Sequence, residues 1–307
     1  VGTEVGRRVR VRNAVRDYVK FLTGTIDTDL KGMKIVLDCA NGASYEAAPM
    51  VFKSLGAEVV TIYNTPDGTN INDNCGSTHP ETLQSRVLEA GADVGLAFDG
   101  DADRLIAVDE HGNLVDGDQI MFICGLDMMS KGRLKGNTVV GTVMSNLGLD
   151  IALKNAGCRL EKTKVGDRYV LERMLEKDYS LGGEQSGHII FLDHNTTGDG
   201  ILTALQLLAV LKHSGRSLSE LAKGMKKYPQ VLVNARVSEQ KKHNYKDDEM
   251  IQEEIRKIEA LFSEEGRVLI RTSGTEPVVR VMIEGADQRV IENEAVRLAR
   301  LIEQRLG

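Results

Sequence analysis

From residue 34 to residue 108, short runs of β-branched and apolar residues alternate with segments whose apolar side chains recur at helical spacing. That alternation limits the chain to an α/β sheet with helices packed on its faces. It predicts strands over 34–39, 57–63, 94–98 and 105–108, and helices over 46–55 and 80–90. A second cycle predicts helices over 118–130, 147–155, 169–176 and 200–212, with strands over 138–142, 159–163, 180–182 and 189–192. Its order copies the first, which suggests a duplicated α/β unit, although the residues do not visibly repeat. After Tyr228-Pro229 the texture changes to strands over 231–237, 267–271 and 278–284 and helices over 247–261 and 289–305. The expected fold class is therefore α/β: two consecutive α/β sheet domains followed by a smaller α+β C-terminal domain. The boundaries read as 13–113, 114–228 and 229–307. Residues 1–12 read as a linker or the remnant of a preceding domain, because Val1 is not an initiator and the helical pattern of Val15, Tyr18, Val19 and Leu22 follows almost at once.

With 307 residues the chain can bury sizeable cores. A formal charge of −6 argues against nucleic acid, whose partners normally carry a basic excess. The local cluster of Arg7, Arg8, Arg10, Arg12 and Arg16 reads as solvated surface, and Lys241-Lys242-His243-Asn244 as a solvated loop. Cys39, Cys75, Cys124 and Cys158 are widely spaced and form no paired metal-ligand motif, so reduced, packed thiols are expected. No run approaches the roughly 18 continuous apolar residues of a membrane span, and the start lacks a signal-peptide profile. A soluble, cytoplasmic protein with no membrane partner is the expectation.

The most informative chemistry lies in Asp99-Gly100-Asp101-Ala102-Asp103-Arg104. Three carboxylates at alternate positions, separated by tiny residues, form a compact oxygen cage for one hard divalent cation, Mg²⁺ or Mn²⁺ by ligand type. The flanking strands put the acids at a strand end, where open α/β sheets place ligands. A lone Asp-Gly pair would read as a turn, but three aligned carboxylates repel one another without a cation. An EF-hand loop fails because Arg104 falls where that loop needs Gly and the flanks read as strands. An apolar strand ending in Asp-x-Asp also partly resembles a haloacid-dehalogenase-like phosphatase, with Asp99 as nucleophile and Asp101 as acid/base. That reading stands as the alternative, against which Asp103 occupies a position where that family wants Thr or Val.

Three other loops carry polar groups. Arg271-Thr272-Ser273-Gly274-Thr275-Glu276-Pro277 sits between two predicted strands. Its hydroxyls and backbone donors could surround phosphate oxygens while Arg271, and Arg280 beyond it, supply charge-assisted bonds. Gly183-Glu184-Gln185-Ser186-Gly187-His188 suits sugar hydroxyls, since a carboxylate accepts, a serine does both and glycines allow close approach. His188 by itself would more often be structural. Thr163-Lys164-Val165-Gly166-Asp167-Arg168 lies between a strand and a helix, where Lys164, the Gly166 backbone or Arg168 could meet an anion, though a helix-capping turn is the better reading of that loop alone.

These four loops in this order resemble the α-D-phosphohexomutase superfamily, over essentially the whole chain. Asp99–Arg104 resembles its metal loop, 183–188 its sugar loop and 271–277 its phosphate loop. Gln185, with Thr196-Thr197-Gly198-Asp199-Gly200, points to the bacterial glucosamine-phosphate branch rather than the glucose or mannose branches. The resemblance implies an isomerase that interconverts glucosamine 6-phosphate and glucosamine 1-phosphate through a phosphoserine enzyme and a bisphosphate, on the route to UDP-N-acetylglucosamine and cell wall. It implies Mg²⁺ on Asp99, Asp101 and Asp103, with Arg104 in support. Sugar contacts fall to Glu184, Gln185, Ser186 and His188, and phosphate contacts to Arg271, Thr272, Ser273, Gly274, Thr275 and Arg280. A homodimer of the full-length enzyme stays open. The family's serine lies in a Ser-His-Asn-Pro-type loop of a first domain, and no such run occurs in these residues. The chain is thus expected to correspond to domains two to four and to be inactive alone.

Overall fold

The computed structural model describes residue 6 and residues 11–262, 265–273 and 276–307. They fall into two units, one taking in residues up to Ser145 with Ala152–Met225, the other Asn146–Ile151 with Lys226–Gly307.

The first unit opens with α1 (Ala14–Thr23) and continues as β1 (Lys34–Asp38), α2 (Ser44–Ser54), β2 (Glu58–Ile62), α3 (Glu81–Ala90), β3 (Val94–Phe98), β4 (Leu105–Asp109) and β5 (Leu114–Val115). Its sheet has the order β2-β1-β3-β4-β5. β1 pairs in parallel with β2 and β3, whereas β4 and β5 turn back antiparallel. β3 and β4 are buried throughout, as strands covered on both faces must be. Val36, Leu83, Val87, Ala92, Ala97 and Val108 form one core cluster of this sheet.

The same plan then recurs. After α4 (Gly117–Ser130) come β6 (Thr138–Thr142), α5 (Leu147–Asn155), β7 (Arg159–Thr163), α6 (Asp167–Lys177), β8 (Leu181–Gly183) and β9 (Ile189–Phe191). The sheet order β7-β6-β8-β9 repeats β2-β1-β3-β4, again with two parallel neighbours of the first strand and an antiparallel edge. The duplication inferred from element order is therefore present in the topology. α7 (Gly200–Ser214) is buried on every face from Gly200 to Leu211 and packs on β3, β4, β9, α1 and α4. A helix apolar all round requires such enclosure, and α7 accordingly serves both sheets of the unit. The short α8 (Leu218–Ala222) follows, capped by Ser217 and Glu220.

The second unit carries β10 (Gln230–Arg236), α9 (Glu249–Phe262), β11 (Gly266–Thr272), β12 (Val278–Gly285) and α10 (Gln288–Leu306). The sheet is antiparallel, in the order β10-β12-β11. Its core joins Val279, Val281 and Ile283 of β12 to Ile291, Ala295, Leu298 and Ile302 of α10, at the spacings of one strand face and one helix face.

The differences from the sequence reading are local. β1 ends at Asp38 rather than residue 39 because Ala40 and Asn41 turn left-handed, at φ 51° and 47°. β5 and α8 went unpredicted, being too short to show a period. The 241–244 segment is not wholly solvated, since Lys242 is only 8% exposed. All four cysteines are free and buried, with burial pushing the Cys39 thiol up to about 12 and Cys75 to about 11, so they are packed, unreactive thiols. Among the described residues no helix is long and apolar enough to cross a membrane.

Candidate functional site

In both sheets the chain order reverses beside the first strand, and crevices for ligands open at the carboxyl ends of strands flanking such a point. The acidic loop leaves the carboxyl end of β3, and the 184–188 loop leaves the equivalent end of β8. The two candidate loops are thus the same hairpin of the duplicated unit, furnished differently.

Asp99, Asp101 and Asp103 each offer an oxygen, and these atoms lie within 4.8 Å of one another. In an octahedral site with ligands near 2.1 Å, opposite oxygens lie about 4.2 Å apart and adjacent ones about 3.0 Å, so the three carboxylates would have to draw inward to share one cation. Asp99 is 8% exposed, and burial, followed by the charges of Asp103 and Asp101, pushes its carboxyl up to about 6. Its Oδ1 accepts the Arg104 N–H at 3.1 Å. The Arg104 Nε lies 3.6 Å from Asp99 Oδ2 and 3.7 Å from Asp103 Oδ1, yet hydrogen-bonds to neither. Asp103 Oδ1 is enclosed and takes no hydrogen bond. The donor set is all oxygen and partly desolvated, which suits a hard divalent cation. These three acids are a candidate metal-binding cluster.

The loop is held from behind. Ala102 adopts φ 64°, a left-handed conformation costly for a residue with a Cβ. Its carbonyl accepts the Gly200 N–H at 2.9 Å, so the amino end of α7 stabilises the turn. On the other side the Ala43 N–H donates to the Gly100 carbonyl at 2.8 Å. A Cβ on Gly42 would sit 2.3 Å from that oxygen, so only glycine permits the approach. Asp38, fully buried at the end of β1, accepts the N–H of Ala40 on Oδ1 and of Gly76 on Oδ2, both at 2.9 Å. Burial pushes its carboxyl up to about 6.

The 184–188 loop meets the acidic loop directly. Arg104 and His188 form an antiparallel bridge, and the Leu105 N–H donates to the Gly187 carbonyl at 3.0 Å. Gly187 has φ 98°, and a Cβ there would strike the Leu105 carbonyl oxygen at 2.2 Å. His188 is 4% exposed, with Nε2 3.6 Å from Asp103 Oδ2 and 4.0 Å from Asp167 Oδ2. Glu184 Oε1 accepts the Gly166 N–H at 3.1 Å. Ser186 is exposed. Gln185 turns inward: its Nε2 lies 3.4 Å from Asp116 Oδ2, and its carbonyl accepts the Gly117 N–H at 3.0 Å, so it supports the capped start of α4.

The 163–168 loop joins this cluster through Gly166 and Asp167 rather than through its cations. Lys164 lies over the Tyr169 ring at 5.9 Å, and exposed Arg168 donates to Glu172 at 2.7 Å.

In the second unit Arg271 and Arg280 are directly opposed on neighbouring strands. Like charges at such a position repel unless an anion lies between them. Burial and the Arg280 charge hold the Arg271 pKa below its ordinary value. Arg280 donates to Glu276 at 3.3 Å, while its Nε is enclosed without a hydrogen bond. Ser273 Oγ accepts the Glu276 N–H at 3.2 Å, closing the turn. Gly274 and Thr275 lie outside the described residues.

Residues 16–112, 116–228 and 232–301 match, in turn, the alpha/beta/alpha domain II, the alpha/beta/alpha domain III and the C-terminal domain of the phosphoglucomutase/phosphomannomutase family. The phosphoglucosamine mutase of Acetivibrio thermocellus is 62% identical over 306 residues, covering 100% of this chain and 68% of that protein. That of Thermoanaerobacter sp. is 62% identical over 307 residues, covering 100% and 69%. The chain belongs to the phosphoglucosamine mutases. This membership sets aside the Asp-nucleophile phosphatase reading of Asp99. Solved structures agree on the fold. A phosphoglucomutase/phosphomannomutase family protein from Burkholderia thailandensis superposes with a TM-score of 0.76 at 24% identity, covering 96% of this chain and 66% of that one. An N-acetylphosphoglucosamine mutase from Aspergillus fumigatus, in complex with GlcNAc-6P and magnesium, gives 0.77 at 20% identity, again covering 96% and 66%. The chain therefore spans a little under two thirds of those solved chains.

Two residues of this phosphoglucosamine mutase neighbourhood escaped the sequence reading. Asp38 fell inside the predicted 34–39 strand, and Asp167 in a loop that read as a helix-capping turn. Their signal was an acid at a strand or helix end, which is too common to single out.

Proposed function

We propose that this chain supplies the metal, sugar and phosphate elements of a phosphoglucosamine mutase acting on glucosamine 6-phosphate and glucosamine 1-phosphate. It divides on this reading into sheet domains over 13–113 and 114–228 and a phosphate-binding domain over 229–307, and works in the cytoplasm on a hexosamine phosphate. The observation that carries the reading is the pairing of the acidic hairpin with the 184–188 hairpin, which brings the cluster of three acids against His188 through Asp103.

Asp99, Asp101 and Asp103 would hold Mg²⁺, which when bound neutralises charge on a transferring phosphoryl group. Arg104 lies beside two of these acids and adds positive charge at the same place. Glu184 is fixed by the Gly166 N–H through one oxygen, which leaves its other oxygen to accept from a sugar hydroxyl, with Ser186 beside it as donor or acceptor. Arg271 and Arg280 grip the phosphate that is not reacting. A sugar that reacts at either end needs such groups to serve both orientations, and binding energy from the remote phosphate orients the reacting one. The phosphoryl group itself moves to and from a serine, and these residues contain no Ser-His-Asn-Pro run to carry it. By themselves they bind and do not turn over.

Calorimetric titration of glucosamine 6-phosphate and glucose 6-phosphate, with Mg²⁺, tests this. Preferential glucosamine 6-phosphate binding that is lost in Arg271→Ala is expected. Robust mutase activity of these 307 residues alone would overturn the division of labour.

A further inference from the structure

The segment from 238 to 246 carries Lys241, Lys242, His243 and Lys246, and a basic run of this kind normally lies in water. Lys242 does not. It is 8% exposed, its Nζ donates to the Ser273 carbonyl at 3.3 Å, and it pairs with Glu239 Oε1 at 2.5 Å. Burying a lysine head is costly unless it is paired and hydrogen-bonded, so its place against Ser273 is specified rather than incidental.

The backbone that delivers it is tied down on both sides. Ser238 N–H donates to the Leu306 carbonyl at 2.9 Å, anchoring the start of the segment to the end of α10. Tyr245 OH donates to the Ile270 carbonyl at 3.2 Å, one residue before Arg271, and the Tyr245 carbonyl accepts from Gln252 Nε2 of α9 at 2.8 Å. Lys242 therefore reaches Ser273 from a fixed base. All of these residues belong to the second unit.

A loop that binds an anion must turn its carbonyl oxygens, which carry partial negative charge, away from the ligand. We propose that Lys242 is a positioning residue for the phosphate loop: by holding the Ser273 carbonyl from behind, it keeps the Arg271–Ser273 end of the loop in the shape that receives a sugar phosphate. Because Glu239 balances the ammonium, Lys242 contributes direction rather than net charge. The inference rests on reading 271–277 as a phosphate-binding loop, and it adds a residue from a separate segment to that site.

The test is calorimetry of glucosamine 6-phosphate with the wild type, Lys242→Met, Lys242→Arg and Arg271→Ala, alongside Mn²⁺ titration of the acidic cluster and thermal unfolding. Losing one charge-assisted bond that shapes the loop should weaken sugar-phosphate binding about tenfold in Lys242→Met. Lys242→Arg, which keeps a donor, should stay within about threefold of wild type. Mn²⁺ affinity, set in the other unit, should not change in either. Wild-type affinity in a folded Lys242→Met beside a weakened Arg271→Ala would overturn the positioning role and leave the phosphate loop standing. Equal weakening in the arginine and methionine variants would also overturn it, since only a packing role predicts that. Unchanged binding in Arg271→Ala, or no binding by the wild type, would instead remove the phosphate-loop reading and the inference with it. If Lys242→Met does not fold, Lys242→Gln, which keeps a neutral donor, replaces it with the same expectations reduced in size.

Discussion

Lowering the pH should loosen cation binding at the candidate acidic cluster well before an ordinary carboxylate would protonate. Asp99 is enclosed and faces Asp101 and Asp103, and these effects push its carboxyl up to about 6. A cation needs the carboxylate, so below that value it must displace a proton. With a pKa near 6, about ten elevenths of the group is ionised at pH 7 and about one eleventh at pH 5, a roughly tenfold fall in affinity, or about 1.4 kcal/mol. An unshifted aspartate near 3.9 would change by only about 1.1-fold over the same range. The sign follows from the direction of the shift: affinity is full above the raised pKa and is lost as pH falls through it. Mn²⁺ affinity measured by electron paramagnetic resonance at pH 7, 6 and 5 reads this directly, with Asp99→Asn as the control that loses both binding and pH dependence. A wild-type affinity that stays flat between pH 7 and 5 would refute the reasoning, because it would mean that burial and the neighbouring carboxylates do not hold the Asp99 carboxyl above its ordinary value.

Three further outcomes are expected. Gly198→Ala would place a Cβ 2.4 Å from His188 Nε2, so the ring must shift from Asp103, costing about 1–3 kcal/mol of stability; a ring NMR signal and a thermal midpoint unchanged from wild type would contradict it. Glu284→Ala removes a fully buried carboxylate that pairs with Arg267 and accepts from Asn146 Nδ2 at 3.1 Å and Leu147 N–H at 3.2 Å. Denaturant titration should show the second unit losing about 3–5 kcal/mol, and a loss below about 1 kcal/mol would argue against a shared network. Asp38 has a folded pKa of about 6, above the unfolded value near 3.9, so its contribution to stability is present below pH 4 and is lost as pH rises to 6. Relative to Asp38→Asn, the wild type should lose about 2 kcal/mol between pH 4 and pH 7 in urea titrations; parallel curves for the two proteins would show that burial does not penalise this charge.

Much of this was legible in the residues themselves. Short apolar runs such as Val94–Phe98 and the helical stripe of 289–305 follow from local sequence pattern, which side-chain geometry alone imposes. The acidic triplet announced itself because like charges at alternate positions are expensive without a purpose. The Arg271 loop combined charge and hydroxyls in a span short enough to see. What stayed hidden depended on neighbours distant in sequence. Lys242 read as one of several solvated cations until the fold set it against Ser273, 31 residues away. Asp38 read as one more residue of the 34–39 strand until Gly76 closed over it, and nothing local in Gln185 announced that its amide reaches Asp116, 69 residues away.

The sequence by itself determined the alternating elements, the duplicated order and the residue types at each loop, because these depend on backbone sterics and on spacing of a few residues. Only the tertiary structure decided that the acidic and 184–188 loops are equivalent hairpins of two like sheets that pair through Arg104 and His188. That contact joins residues 84 apart in number, and the two sheets are brought together by α7, which is buried from Gly200 to Leu211 by packing on both at once.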